Sequence, residues 1–262
     1  MAYDVGALRK SIALLRILAE APQPLGLTEL AQQAGVAKNM VYRACRTLID
    51  HGWVAVEGEP PRYRLTLAPF QLFARPLERT QLTTAVHAPL QDLATRCGET
   101  AYCAVRDGDR AVHVQVIDGP GPIRVAGGIG SGFPLHATAQ GKVLLAWDPD
   151  ARATLPRRLA RLTAATITTR AGLEAACAHI RTQGWAANRE EFAAGLIGCA
   201  APVLDRSGNC IAALGVFATT ATVDEERLQQ AIAPAVMAAA GTVSAALGAP
   251  GADPDVMGDV RI

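Results

Sequence analysis

Leu27, Leu30, Ala31 and Ala34 recur at the i, i+3, i+4, i+7 spacing of a single helix face. They predict a short helix over residues 28–34, with Thr28 as its N-cap. Gly35 follows, placed to take positive φ and redirect the chain. A second amphipathic stretch, 37–51, turns Val41, Ala44, Cys45, Leu48 and Ile49 inward and closes at Gly52. An earlier helix over 8–19, with Leu8, Ile12, Leu15 and Leu18 down one side, is stopped by Pro22 and Pro24 and completes a three-helix core. Alternation then replaces the helical period. Residues 53–56 and 62–65, joined by turn residues 57–61, read as a two-strand hairpin, a wing after the second helix.

Beyond the wing, residues 67–77 predict a short helix interrupted by Pro76, and 81–96 a longer one that Pro89 should bend or restart. From Cys97 onward, strands alternate with helices. Strands are expected at 100–105, 111–117, 123–126, 185–188, 200–204 and 210–217. Helices are expected from about Thr138 to Pro149, then over 151–159, 170–183 and 224–247. Strands in hairpins with helices segregated to the faces give an α+β domain. The organisation read from the pattern is a helical-and-wing domain at 1–67, a helical linker at 68–97, a sensor-type domain at 98–248 and a frayed tail at 249–262.

Half of the residues are hydrophobic and 19% are charged, enough to bury two cores. The net charge of +1 excludes a generally polybasic protein, so any nucleic-acid contact must come from a local patch. No run of about 18 apolar residues appears, and Met1 to Lys10 lacks the apolar core of a signal peptide, so no membrane association and a cytoplasmic location are expected. The six cysteines are dispersed without a CxxC pair and read as small buried hydrophobes; no metal or cofactor is expected.

The local patch lies on the second helix of the pair. Opposite its apolar stripe stand Lys38, Asn39, Tyr42, Arg43 and Arg46, with no acid before Asp50. A helix with a buried stripe and a basic, amide-bearing face is what a major groove admits, although any surface helix has a polar face. The wing strengthens the DNA reading. Arg62 and Arg64 alternate with Tyr63 and Leu65, so both arginines lie on one face of the ribbon.

Taken in order, LTELAQQAGVAKNMVYRACRTLIDHGWV, the wing RYRL, CGETAY, GFPLHATAQGKVLLA, REEFAAGLIGCAAPVLDRSGNCIAALGVF and a terminal helix ending in ALG resemble the IclR family of bacterial transcription regulators. The resemblance implies a winged helix–turn–helix, a helical linker and a GAF-like effector-binding domain. It also implies a homodimer or homotetramer on double-stranded operator DNA, with a small organic acid as effector. Family members commonly carry small hydroxyl residues where this chain has Asn39 and Met40. Asn can pair with adenine and Met can pack on a thymine methyl, so the operator should be its own. Relatives often place an aspartate before the Glu-Glu pair, where this chain has Asn188 and Arg189; an amide and a cation there favour an acidic ligand.

By position, the resemblance places Gly132, Leu135, Ala139, Gln140, Asn188, Ile197, Gly198, Gly215 and Phe217 around an effector. His136 is either a donor to the ligand carboxylate or a satisfied core histidine. A carboxylate at the helix start near Thr138 would meet free N–H groups and the positive end of the dipole. Phe217 or Tyr102 would face an aromatic ring, which favours an aryl acid such as a hydroxybenzoate over a short keto acid. The linker, bending at Pro76 and Pro89, is the expected element coupling ligand to operator spacing. An enzyme using Cys199 with His136, or the Glu190-Glu191 pair, is the rival from another class. No GxSxG, HExxH or GxxxxGK[ST] spacing supports it, and it would leave the basic helix unexplained.

Overall fold

The computed structural model describes residues 5–72, 81–121 and 127–250. The expected strand at 123–126, Pro76 with its surroundings and most of the expected tail lie outside them. The chain divides into two compact units, Met1–Arg79 and Thr80–Ile262.

In the first unit, α1 (Gly6–Glu20), α2 (Leu27–Ala34) and α3 (Lys38–Asp50) pack around Leu14, Leu18, Leu30, Val41 and Cys45. The turn between α2 and α3 is made by Gly35 at φ 63°, a left-handed conformation that costs glycine nothing. Thr28 does not cap α2. The N-cap is Gly26, and the Glu29 carboxylate reaches back to accept its N–H at 2.7 Å. A carboxylate there also complements the helix dipole, which a hydroxyl cannot do. Strands β2 (Val54–Glu57) and β3 (Arg62–Leu65) pair antiparallel, Glu57 opposite Arg62, and the two-residue β1 (Leu25–Gly26) adds to the far side of β3. Tyr63 is buried between the exposed Arg62 and Arg64, the alternation expected of the wing.

The second unit is a six-stranded antiparallel sheet with helices on both faces. Its strands are β4 (Thr100–Asp107), β5 (Arg110–Ile117), β6 (Gly132–Pro134), β7 (Ala186–Arg189), β8 (Leu196–Leu204) and β9 (Cys210–Thr219), in the order β6-β5-β4-β9-β8-β7. One face packs against α4 (Gln81–Cys97) and the terminal helix, through Ala101, Cys103, Cys199, Leu214 and Val216. The other packs against α5 (Ala139–Trp147) and α7 (Arg170–Gln183), through Tyr102, Ala104, Ala200 and Ala213. Because neither face meets water, the central strands are apolar throughout instead of alternating. That is why β8 begins at Leu196, four residues before the expected start.

Other expectations also shift. Helix α4 runs unbroken through Pro89 and buries Leu82, Val86, Leu90 and Leu93 in the sheet core, so it is a structural layer of this unit and not only a connector. Pro149 starts α6 (Pro149–Thr154), behind an Asp148 carboxylate that caps Ala151 N–H. A proline at the first helical turn forfeits no hydrogen bond, so it opens this helix instead of only ending the previous one. The last helix comprises Glu225–Arg227, a π-turn over Leu228–Ile232, and α8 (Ala233–Ala246). Pro234 lacks the N–H that a regular turn would use, and the wider turn absorbs the fault.

Candidate nucleic-acid interface and effector pocket

Helix α3 turns Lys38, Asn39, Tyr42, Arg43 and Arg46 outward, all exposed, with Met40 half-buried at the edge of that face; Val41 and Cys45 on its other side are fully buried. Lys38, Arg43 and Arg46 form no ion pair with another described residue, so their charge is open to an external anion. The wing arginines differ. Arg62 donates from Nε to Pro24 O at 2.9 Å and from Nη2 to Glu29 Oε2 at 3.4 Å. Arg64 donates from Nε to Glu57 Oε2 at 3.0 Å. Both pairs are about half exposed, and such pairs contribute roughly 0.2–1 kcal/mol, small enough for a phosphate to displace them.

In the second unit a pocket lies between α5 and the sheet. Its lining includes the rings of Tyr102, Phe133, Phe192 and Phe217 and the polar side chains of Thr138, Gln140 and Asn188. Tyr102 stacks on His113 with centroids 4.9 Å apart and meets Phe217 at 4.4 Å; Phe133 lies 4.6 Å from His113. His113 is 1% exposed, and burial pushes its pKa down to about 4, so the ring is neutral at pH 7. Helix α5 starts at this pocket. The Thr138 hydroxyl caps Gly141 N–H at 3.2 Å, while the first two N–H groups, of Ala139 and Gln140, have no acceptor among the described residues.

Residues 7–58 match the family described as "IclR helix-turn-helix domain", and residues 74–245 match "Bacterial transcriptional regulator IclR C-terminal". The chain belongs to the IclR family. The HTH-type transcriptional regulator KdgR of Escherichia coli K12 is 36% identical over 248 residues, 94% of each chain. The solved IclR regulator of Alicyclobacillus acidocaldarius aligns with a TM-score of 0.78 at 27% identity, covering 94% of this chain and 100% of that one. The Thermotoga maritima IclR shares the fold, with a TM-score of 0.77 at 23% identity over 94% of this chain and 100% of its own. This is therefore an IclR-type transcriptional regulator, with a DNA-binding helix–turn–helix unit and a C-terminal α/β effector domain. Among the described residues no helix is long and apolar enough to cross a membrane.

The pocket of this IclR-family regulator gathers Ala139, Gln140, Asn188, Ile197, Gly198 and Phe217 from the residues singled out in the sequence. Four others lie elsewhere. Gly132 sits on edge strand β6, its carbonyl accepting from Arg110 Nη1 at 2.8 Å. Leu135 and His136 fall in a 3₁₀ turn (Leu135–Ala137) that carries them to a separate cavity beside Leu155 and Leu159. There His136 Nε2 donates to Ala160 O at 2.9 Å, which makes it a satisfied core histidine. Gly215 does not line the pocket: a Cβ there would lie 2.5 Å from the Tyr102 hydroxyl, so its smallness makes room for that ring. Arg189 is held by Glu225 through contacts of 2.8 and 2.5 Å, which raise the guanidinium pKa and lower that of the carboxyl. The expectation that Arg189 draws an anion to the pocket therefore fails, because its charge is already matched on the outer edge.

Sequence reading missed Phe133, Thr138, Phe192 and Val216 as lining residues, and a buried ion pair between Lys142 and Glu191. Burial lowers the Lys142 pKa, and the Glu191 carboxylate opposes that shift. The pair ties α5 to the loop carrying Phe192, while Glu190 braces the same loop by accepting Gly195 N–H at 2.7 Å. Cys199 is a poor nucleophile in this setting. It is fully buried, and desolvation drives its pKa far above the ordinary thiol range.

Proposed function

We propose that this IclR-type regulator reads operator DNA with the outer face of α3, through Lys38, Asn39, Met40, Tyr42, Arg43 and Arg46, with Arg62 and Arg64 of the wing on the flanking phosphates. It acts in the cytoplasm as a homodimer or homotetramer, whose repeated half-sites fix the spacing of the recognition helices. It senses a small organic acid, an aryl acid such as a hydroxybenzoate, in the pocket between α5 and the sheet.

The observation that carries the ligand reading is the wall of four aromatic rings around a helix start. Tyr102, Phe133, Phe192 and Phe217 offer faces and edges to a flat ring, and the Ala139 and Gln140 N–H groups offer hydrogen bonds to a carboxylate. A short keto acid would use the same N–H groups and leave the rings without a partner. A thermal-shift and calorimetric panel of benzoates and short keto acids tests this directly. Stabilisation by benzoates above pyruvate or glyoxylate supports it. Preference for the keto acids transfers the reading to them, and no stabilisation by any carboxylate overturns the helix-start anchor.

A further inference from the structure

We infer that the pocket selects for a hydroxyl group on its acid, through the side-chain oxygen of Gln140, across from an Asn188 amide that can offer only N–H. This rests on the effector-pocket reading above and narrows the class of ligand.

His113 sets the orientation of Gln140. Its Nδ1 lies 3.4 Å from Gly127 O, and a carbonyl can only accept, so Nδ1 carries the proton. Burial keeps the ring neutral, which leaves Nε2 as a bare acceptor. The group 3.4 Å from it is the Gln140 side chain, which must present its NH₂ there. Gln140 Oε1 is then left without a partner among the described residues, in a pocket-lining residue that is 2% exposed. Asn188 is oriented the opposite way. Its Oδ1 accepts the backbone N–H of Glu191 at 3.0 Å and of Phe192 at 3.4 Å, leaving Nδ2 with two hydrogens to offer. Neither assignment depends on telling an amide nitrogen from an oxygen, because the neighbours permit only one arrangement.

The other polar side chains that line the pocket are already engaged, and in the buried pair beside it only Glu191 Oε2 lacks a hydrogen-bond partner among the described residues. The Thr138 hydroxyl donates to Pro134 O and accepts from Gly141 N, the Tyr102 hydroxyl donates to Cys199 O at 3.5 Å, and Lys142 and Glu191 hold each other. On the lining itself one side-chain acceptor and one side-chain donor remain. A carboxylate oxygen against Gln140 Oε1 would set acceptor against acceptor. A hydroxyl satisfies it, while the carboxylate takes Asn188 and the helix start. A ligand without the hydroxyl leaves a buried acceptor unpaired, which costs roughly ten- to a hundredfold in affinity.

The test is calorimetric titration of the full-length protein with benzoate, the three hydroxybenzoates and the matching fluorobenzoates, which keep the size and lose the donor. At least one hydroxy isomer is expected to bind tenfold or more tighter than benzoate and its fluoro counterpart. Gln140→Met should cut that ratio below threefold, and His113→Leu, which frees the amide to turn over, should lower it as well. If benzoate and the fluoro compounds match every hydroxy isomer in the unsubstituted protein, hydroxyl selection is wrong while the aryl-acid reading stands. A ratio that survives in both variants also overturns it. If no benzoate binds, the pocket reading and this inference fall together.

Discussion

The proposed recognition helix and the proposed effector pocket use polar groups in opposite ways. On α3 the cations stand in water, unpaired within the described structure, and any anion of suitable shape can claim them. In the pocket nearly every polar atom is already spent on a neighbour, and specificity resides in the few that are left. A surface site can therefore be proposed from residue identity, because an unpaired side chain offers what its own chemistry carries. A buried site cannot, because what a residue offers depends on what its neighbours have taken.

The sharpest way to break that contrast is to remove a spent group. Lys142→Met leaves the Glu191 carboxylate buried without its cation, and should cost about 3–5 kcal/mol in denaturant unfolding. Adding Glu191→Gln should return part of the loss. If the single substitution costs no more than a surface change, the pair is not held in a water-poor interior as described.

Next in size is the pH dependence of His113. Its folded pKa, about 4, lies below the ordinary 6.5, so the unfolded chain takes the proton first. That share of stability is complete above about pH 6.5 and falls by roughly 3 kcal/mol as the pH drops to 4. Unfolding curves of the wild type and His113→Asn across that window should diverge at neutral pH and converge toward acid. Parallel curves would mean the ring titrates normally.

Gly215→Ala should cost about 1–3 kcal/mol, since the added methyl meets both Cys199 O at 2.4 Å and the Tyr102 hydroxyl at 2.5 Å. Acid binding should weaken with it, as the displaced Tyr102 ring enters the pocket. A binding constant unchanged alongside lowered stability would place Tyr102 outside the ligand's reach.

Smallest is Glu57→Gln in the wing. Losing a half-exposed ion pair should move stability by less than about 1 kcal/mol, while freeing Arg64 should tighten duplex binding a few-fold at low salt. Weaker binding instead would mean the Glu57 contact aims Arg64 at its phosphate.

The same contrast explains how far the sequence could be read. The helices of the first unit follow from the 3.6-residue period, and the α2–α3 turn from Gly35, because each depends on residues close in the chain. The wing followed from alternation, but the occupation of its arginines did not, since Glu29 stands 33 residues from Arg62. In the pocket, Ala139, Gln140, Asn188 and Phe217 came from the family resemblance, carried over by position, and not from any local pattern. Phe133 and Phe192 sit on a short edge strand and in a loop, where no period marks a facing direction. Leu135 falls outside the pocket because a 3₁₀ turn carries it to the cavity beside Leu155 and Leu159, and His136 in the same turn is the core histidine that was one of its two readings. The Lys142–Glu191 and Arg189–Glu225 pairs join residues 49 and 36 apart, and nothing local announces either.

The central claim is that the open cations of α3 enter a duplex while a separate pocket in the second unit adjusts the fit. Fluorescence anisotropy on a labelled fragment of the chain's own promoter region, across a salt series, tests it most directly with the wild type and the Arg43→Ala/Arg46→Ala variant. The account predicts a loss of about a hundredfold in specific affinity, a salt slope shallower by about 2, and unchanged binding of benzoates to the variant. Specific binding that survives both substitutions, with the salt slope intact, would contradict it.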